Sequence, residues 1–329
     1  MGLEHAPDYK IVADDRDITE RIRGWLLSLR ITDKTGIESD TLELTLSDVA
    51  PHIQHPKTGA KITVSLGYRD ALVRIGTYVV DEIEQSGPPD TLSIRARAFD
   101  YTSAMKAPRD RVWRDEHARI KLYDIVQKIA GEYGLRAAVG DGLRDASYLW
   151  EMQQAESDLH FLQRLAKHHG AAVKINPDGV ALVKTGDGKT AGGDALPTVA
   201  LAAADLIEWS VTMTERGAYH SVSAQYRDTE QSDTVTVTIG DGEPVYKIRE
   251  IFADDRAALV AATAKSDALA RGKSTLSLTM GGNPRIRAQY RVDLTGIRES
   301  VDGVWTVESV EHRLDRAGYV TRLECVPPA

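Results

Sequence analysis

Gly76-Thr77-Tyr78-Val79-Val80-Asp81-Glu82-Ile83-Glu84 returns near the far end of the chain as Gly303-Val304-Trp305-Thr306-Val307-Glu308-Ser309-Val310-Glu311. The common pattern is Gly, any residue, a large aromatic, any residue, Val, an acid, any residue, Ile or Val, then Glu. β-Hairpins with turn glycines resemble one another, so the motif alone carries little weight. Its neighbours match as well. Each copy follows an alternating strand that ends near a glycine (Ile62–Gly67; Tyr290–Gly296) and precedes another strand (Thr91–Arg97; Tyr319–Glu324). Similarity that extends through three successive strands points to duplicated β-domains flanking a mixed insertion.

The segments around the first copy agree. Leu42, Leu44 and Leu46 alternate with Glu43 and Thr45, and Ile62, Val64 and Leu66 with Thr63 and Ser65. Leu92, Ile94, Ala96 and Ala98 alternate with Ser93, Arg95 and Arg97. Period two puts the apolar set on one strand face. Turn residues separate the runs at Asp33–Gly36, Pro56–Gly59 and Ser86–Asp90. Short strands so closely spaced predict a small antiparallel barrel or sandwich.

The middle of the chain changes period. Leu122, Ile125, Val126, Ile129, Ala130 and Tyr133 share one helical face, with Gly134 placed to end the helix. A second helix begins at Ser157, buries Leu159, Leu162, Leu165 and Ala166, and ends near Gly170. Short strands at 172–175 and 180–184 are joined through Asn176-Pro177-Asp178-Gly179, and 186–197 reads as a loop or linker. The last third returns to strands at 221–226, 234–239, 275–280, 290–294, 304–312 and 319–326. One Ala-rich helix at about 255–271, stopped by Gly272, interrupts them. The expected fold is α+β and mainly β. Residues 1–100 form a first barrel-like domain, 101–200 an inserted α/β domain, and 201–329 a second barrel-like domain with one inserted helix.

Composition excludes several functions. A chain of 329 residues buries enough surface to fold without staples. The single cysteine, Cys325, excludes an intramolecular disulfide and argues against a structural zinc site. The 49 acidic residues exceed the 41 basic ones, the wrong sign for a nucleic-acid binder. The deficit lies at the two ends: residues 1–100 hold 12 basic and 17 acidic side chains, 101–200 hold 14 and 13, and 201–329 hold 15 and 19. Met1–Lys10 has no apolar core, so no signal peptide is expected. No apolar run approaches the ~20 residues of a membrane span.

Candidate chemistry is sparse. Gly188-Lys189-Thr190 and Gly272-Lys273-Ser274 end like phosphate loops, but Val183 and Asp267 stand where the first glycine belongs. His160 and His168 are two turns apart, too far to chelate together, so these two and His169 are expected to be exposed polar-face residues. His52 and His55 in their proline-bounded loop would need further ligands from elsewhere to hold a metal. No Ser sits in a Gly-x-Ser-x-Gly elbow. Lys106, Arg109, Arg111, Arg114, Arg119 and Lys121 surround Trp113; this run is read as a solvated connector rather than a nucleic-acid contact. No catalytic, cofactor-binding or metal-binding residue is expected.

The residues also carry a family resemblance. Pro7-Asp8-Tyr9-Lys10, Asp17-Ile18-Thr19, Leu29, Thr32-Asp33, Gly36, Ser39-Asp40 and Asp48 resemble the opening of the phage late control D proteins. These are baseplate hubs of contractile tails, related to the N-terminal part of VgrG spike proteins. Leu66-Gly67-Tyr68, Gly76, Val80-Asp81-Glu82-Ile83 and Gly87-Pro88-Pro89 follow in the family's order. The most specific stretch is Gln153-Gln154-Ala155-Glu156-Ser157-Asp158, then Phe161-Leu162 and Arg164-Leu165-Ala166, ending at Gly170. Trp305, Val310, His312, Gly318-Tyr319 and Thr321 resemble the close. One departure falls between Gly281 and Tyr290, where the family would place another glycine before the strand.

The resemblance implies a structural, non-enzymatic hub. It would be a homotrimer whose paired barrel-like domains form a pseudo-sixfold ring around an axial channel. Implied partners are the tail tube protein, the central spike, other baseplate proteins and the tape-measure protein in the channel, with no membrane and no specific nucleic acid. The particle, a phage or a headless bacteriocin, would be assembled in the host cytoplasm. No enzyme domain is expected beyond the final strand. The rival reading is a cell-wall-degrading or sugar-binding tail enzyme.

Overall fold

The computed structural model describes residues 6–36, 40–98, 103–176, 179–214, 219–228 and 232–328. Ser39 and the expected turn residues Pro177 and Asp178 lie outside the described residues.

In chain order the first elements are β1 (Pro7–Ala13), β2 (Arg16–Asp17), α1 (Thr19–Ile22), β3 (Leu26–Lys34), β4 (Thr41–Ser47), β5 (Lys61–Tyr68), β6 (Ala71–Ser86) and β7 (Thr91–Ala98). Then come β8 (Pro108–Trp113), β9 (Ile120–Lys121), α2 (Leu122–Glu132), β10 (Ala137–Val139), α3 (Asp141–Arg144), β11 (Ser147–Tyr148), β12 (Glu151–Ser157), α4 (Asp158–His168), β13 (Ala171–Asn176) and β14 (Gly179–Lys184). The rest are β15 (Thr198–Ala202), β16 (Leu206–Met213), β17 (Ser221–Asp228), β18 (Asp233–Gly240), β19 (Val245–Phe252), α5 (Asp255–Arg271), β20 (Ser274–Gly281), β21 (Arg291–Thr295), β22 (Gly303–Asp315) and β23 (Gly318–Val326).

The chain forms two compact units, and they are cut differently from the three consecutive segments expected. One unit holds 1–100, 198–211 and 276–325; the other holds 101–197, 212–275 and 326–329. The expected second barrel-like domain, 201–329, therefore gives up far more than one helix. Its segment 212–275 carries β17, β18, β19 and α5, which share a core of Val222, Ala224, Phe252, Ala258, Ala261 and Ala262, and α5 packs on α4.

The first unit is organised by one sheet, in the order β16-β20-β23-β22-β3-β4-β7-β6-β5-β1-β2, with β15 parallel to β21 and β21 antiparallel to β22. The alternation read from sequence is its cause. Leu42, Leu44, Leu46, Ile62, Val64, Leu66, Leu92 and Ile94 all enter one core, while Leu276, Leu278, Val292, Leu294, Val307 and Leu323 enter a second. β22 serves both cores. Its first half pairs with β21 and supplies Trp305 and Val307 to the second, and its last half pairs with β3 and supplies Leu314 to the first.

The two copies of the repeat occupy equivalent registers. In β6, Gly76 faces Val64 and Tyr78 faces Ile62; in β22, Gly303 faces Leu294 and Trp305 faces Val292. Tyr78 and Trp305 are both buried, as are Val80 and Val307 two residues on.

In the second unit, α2 buries the five apolar residues expected of it from Leu122 to Ala130. Helix α4 is capped by Ser157, whose side chain accepts from the His160 N–H, and it buries Phe161 in addition to the expected leucines. Helix α5 spans the expected residues, and Gly272 caps it.

Candidate functional site

The outward face of the first unit's sheet is the complement of its core. On β22 it presents Ser309, Glu311 and Arg313; on β3, Ser28, Arg30, Thr32 and Lys34; on β4, Thr41, Glu43, Thr45 and Ser47; and on β7, Thr91, Ser93, Arg95 and Arg97. Each of these residues is Ser, Thr or charged. On the next strand, β6, a bulge between Val80 and Glu82 brings Glu82 opposite Arg95 and leaves Asp81 beside Arg97.

The charges compensate one another. Arg313, Arg30, Lys34, Arg95 and Arg97 stand among Glu311, Asp315, Glu43, Asp81, Glu82 and Glu84, so the two signs nearly balance. A row of ion pairs crosses five strands: Glu311 to Arg30 at 3.7 Å, Arg30 to Glu43 at 3.6 Å, Glu43 to Arg95 at 3.7 Å, and Arg95 to Glu82 at 2.9 Å. Such exposed pairs contribute about 0–1 kcal/mol each, so fold stability does not account for the row. Its physical effect is a broad, largely polar surface, with Val79 opposite Arg97 as an aliphatic interruption, and with little net field.

The most specific motif of the sequence builds a different structure, in the second unit. Gln153 is buried; its Oε1 accepts from the Trp113 Nε1–H at 3.2 Å, and its Nε2 donates to Asp158 Oδ1 at 2.8 Å. The Asp158 carboxylate, fully buried at the first turn of α4, also accepts from the Tyr133 hydroxyl at 2.6 Å and pairs with Arg109 at 3.3 Å. Burial, followed by the bond to Asp158, pushes the Tyr133 hydroxyl up to about 12. Ala155 takes a left-handed backbone (φ 46°), and its N–H donates to Asp110 Oδ1 at 2.7 Å, closing the bulge on β8.

Arg164, on α4, gathers carboxylates from two strands. It reaches Glu250 at 2.9 Å, Glu156 at 3.2 Å and Glu151 at 3.3 Å, and donates to the Met152 carbonyl at 2.7 Å. His168 bonds the second oxygen of Glu250 at 2.8 Å. Burial raises the Glu151 carboxyl above its ordinary value, with Arg164 and His168 opposing it. Burial also acts on Glu250, but His168 and Arg164 outweigh it and hold that carboxyl below its ordinary value. These groups lock α4 to β12 and β19.

The structure revises three readings. His168 and His169 are not exposed: His168 is bonded to Glu250, and His169 lies against Tyr148, whose hydroxyl is 2.8 Å from Nε2. Burial, reinforced by the charges of His168, Arg256 and Lys184, holds the His169 pKa down at about 4. Only His160 keeps the exposed position expected of all three. The basic run around Trp113 is in part strand β8 rather than wholly a solvated connector, and three of its cations are engaged in strong pairs: Arg109 and Arg111 of β8 with Glu132 and Asp158, and Arg119 beyond it with Asp254. The glycine expected before β21 is replaced by Gln289, which adopts the left-handed conformation itself (φ 72°) while its N–H bonds the Val307 carbonyl at 2.7 Å.

The closing motif forms a buried polar group under the same loop. His312 Nδ1 lies 3.0 Å from the Tyr319 hydroxyl and 3.2 Å from Thr321 Oγ1, which accepts from the Asn283 N–H at 2.8 Å. A Cβ on Gly282 would overlap the Tyr319 ring, so glycine at this position is a packing requirement. Sequence reasoning missed both the compensated face and the Arg164 cluster. The strand alternation was the available signal for the first.

Among the described residues, no group of three or more His, Cys, Asp or Glu is placed to hold a metal, and no helix is long and apolar enough to cross a membrane.

Comparison with known proteins places these features. The family model described as phage tail baseplate hub (GPD) matches residues 38–318. A probable baseplate hub protein of Escherichia phage P2 is 30% identical over 366 aligned positions, covering 98% of this chain and 94% of its own. Among solved structures, the 43 kDa tail protein of prophage MuSo2 from Shewanella oneidensis superposes with a TM-score of 0.71 at 16% identity, covering 98% of this chain and 99% of its own. An Escherichia coli component of the type VI secretion system gives a TM-score of 0.59 at 12% identity, over 92% of this chain and 74% of its own. At such identities the two structures speak to the fold.

Proposed function

This chain belongs to the phage tail baseplate hub family, and from that premise we propose that it works as a structural, non-catalytic hub of a contractile tail. Three copies form a ring that joins the hexameric tail tube to the trimeric spike, contacts other baseplate proteins and leaves an axial channel for the tape-measure protein. The observation that carries this reading is the repeat in register. Tyr78 faces Ile62 on the strand before it as Trp305 faces Val292, so each chain contains two similar strand triplets, β5-β6-β7 and β21-β22-β23. Closed rings form when a repeated contact has the right rotation. Two similar modules per chain let a threefold assembly offer six similar edges to a sixfold tube, while three identical chains match a threefold spike.

The compensated face of the sheet supports a channel lining. On this face, cations and anions nearly balance among serines and threonines. A passing polymer of either sign meets little apolar foothold and no strong opposing field.

Mass measurement of the purified chain, alone and mixed with its tube and spike proteins, tests the hub reading. A trimer, or a 3:3 complex with the spike, is the expected result, and a chain that stays monomeric with both partners overturns it. Reversing Arg30 and Arg95 to Glu tests the lining. Particles that still assemble should then release their contents more slowly, and unchanged release removes this face from the channel.

A further inference from the structure

In the second unit, the start of β12 and the end of β19 border an open cleft of about 350 Å³. Its rim is apolar and exposed: Trp150 is 42% accessible, Met152 45% and Ile251 56%. Its floor is the Arg164 cluster, where Glu151, Glu156 and Glu250 face the cleft with one guanidinium. The floor ties α4 to β12 and β19, whereas the rim serves no packing within the unit. The three apolar side chains are exposed, and removing them from water favours whatever covers them. The floor is also short of positive charge. Three carboxylates share Arg164, and His168 adds to Glu250 only when protonated.

We propose that this cleft is a docking site for a segment of another chain of the particle that sets a lysine or arginine over Glu151 and Glu250 and lays apolar side chains on Trp150, Met152 and Ile251. The charge balance selects this occupant. An acidic segment would add repulsion to a floor already carrying an excess of negative charge, and a purely apolar one would leave the carboxylates desolvated and under-compensated. Aromatic and apolar anchors around a charged contact have the anatomy of an interface hot spot. The proposal rests on the hub reading only in placing the partner within the tail.

The test is an array of overlapping synthetic peptides covering the particle's other tail proteins and this chain itself, probed with the purified protein. Bound peptides should contain a Lys or Arg between apolar residues. Replacing that residue by norleucine, or introducing Ile251→Asp or Met152→Ser into the protein, should weaken binding at least tenfold while leaving the thermal midpoint in place. Three results overturn the proposal: no peptide that distinguishes the protein from its Ile251→Asp variant, binding peptides without a basic residue, or strongest binding to this chain's own peptides. A protein that trimerises but binds no peptide loses the cleft alone. One that binds peptides yet stays monomeric keeps the cleft and loses the ring.

Discussion

Tyr78 and Trp305 stand at the same step of two different strand pairs, each opposite a β-branched residue of the preceding strand and each two residues before a buried valine. Tyr78 belongs to one core of the first unit and Trp305 to the other. Truncating either empties an aromatic site that the surrounding sheet cannot refill, a change that costs about 3–5 kcal/mol. Tyr78→Ala and Trp305→Ala should therefore destabilise the protein by similar amounts in denaturant titrations. Tyr78→Trp is the sharper comparison. If the two positions are interchangeable in shape, it should cost less than about 2 kcal/mol, within the range of tolerated overpacking.

Gln289 holds a left-handed backbone that costs a non-glycine residue roughly 1–2 kcal/mol. Glycine removes that strain but adds chain entropy to the unfolded state, so Gln289→Gly should stabilise by about 0.5–1 kcal/mol net. Gln289→Val, branched at Cβ, should destabilise. Urea midpoints of the three proteins at equal slope provide the measurement.

What the sequence disclosed depended on how local the cause was. The helix from Asp255 to Arg271 was legible because its alanine-rich run and stopping glycine lie within one stretch. The strands with three alternating aliphatics were legible for the same reason. Strand β1 was not: only Tyr9 and Ile11 point inward, and its strand character comes from docking along β5 from Pro7↔Tyr68 to Ala13↔Ile62. Nor could the boundary at residue 212 be read. Nothing in Val222 or Ala224 announces that they will pack on α5 rather than join the larger sheet. The charged face and the Arg164 cluster are both products of pairing between distant strands, so each residue reads locally as an ordinary surface charge. Conversely, Gln153 and Asp158 were noticed through family resemblance, and their buried hydrogen bonds supply the physical reason for the motif.

His312 gives the fold a defined sensitivity to acid. Burial, with Arg287 adding to it, holds its pKa down at about 4, against an ordinary 6.5. Between those values the unfolded chain binds a proton that the folded chain refuses, so stability rises with pH through this window. The contribution is complete above about pH 6.5, and up to about 3 kcal/mol of it is lost by pH 4. His169 acts in the same direction over the same range. Denaturation midpoints measured from pH 7 to 4 should fall, and His312→Gln should remove roughly half of that slope. A slope unchanged by the substitution would show that His312 is protonated in the folded state.

Arg164 is the residue on which the second unit's charge balance turns. It is the shared cation for Glu151, Glu156 and Glu250, and the Glu250 pair joins α4 to a strand far along the chain. Replacing one member of a part-buried charged group leaves the others under-compensated, which costs about 2 kcal/mol, short of the ~3–5 of a fully buried pair. Arg164→Met should thus destabilise the protein by that amount at pH 7, and the loss should shrink toward pH 5 as the abandoned carboxylates take up protons. Arg164→Lys should recover little, because an ammonium cannot reproduce the fork that meets Glu156 and Glu250 from one plane. Removing the acid as well separates charge from packing. In Arg164→Met with Glu250→Gln, most of the loss should return if uncompensated charge is its source. It should deepen if the source is lost contact between α4 and β19, and unfolding titrations of the two variants at pH 7 and 5 distinguish the two.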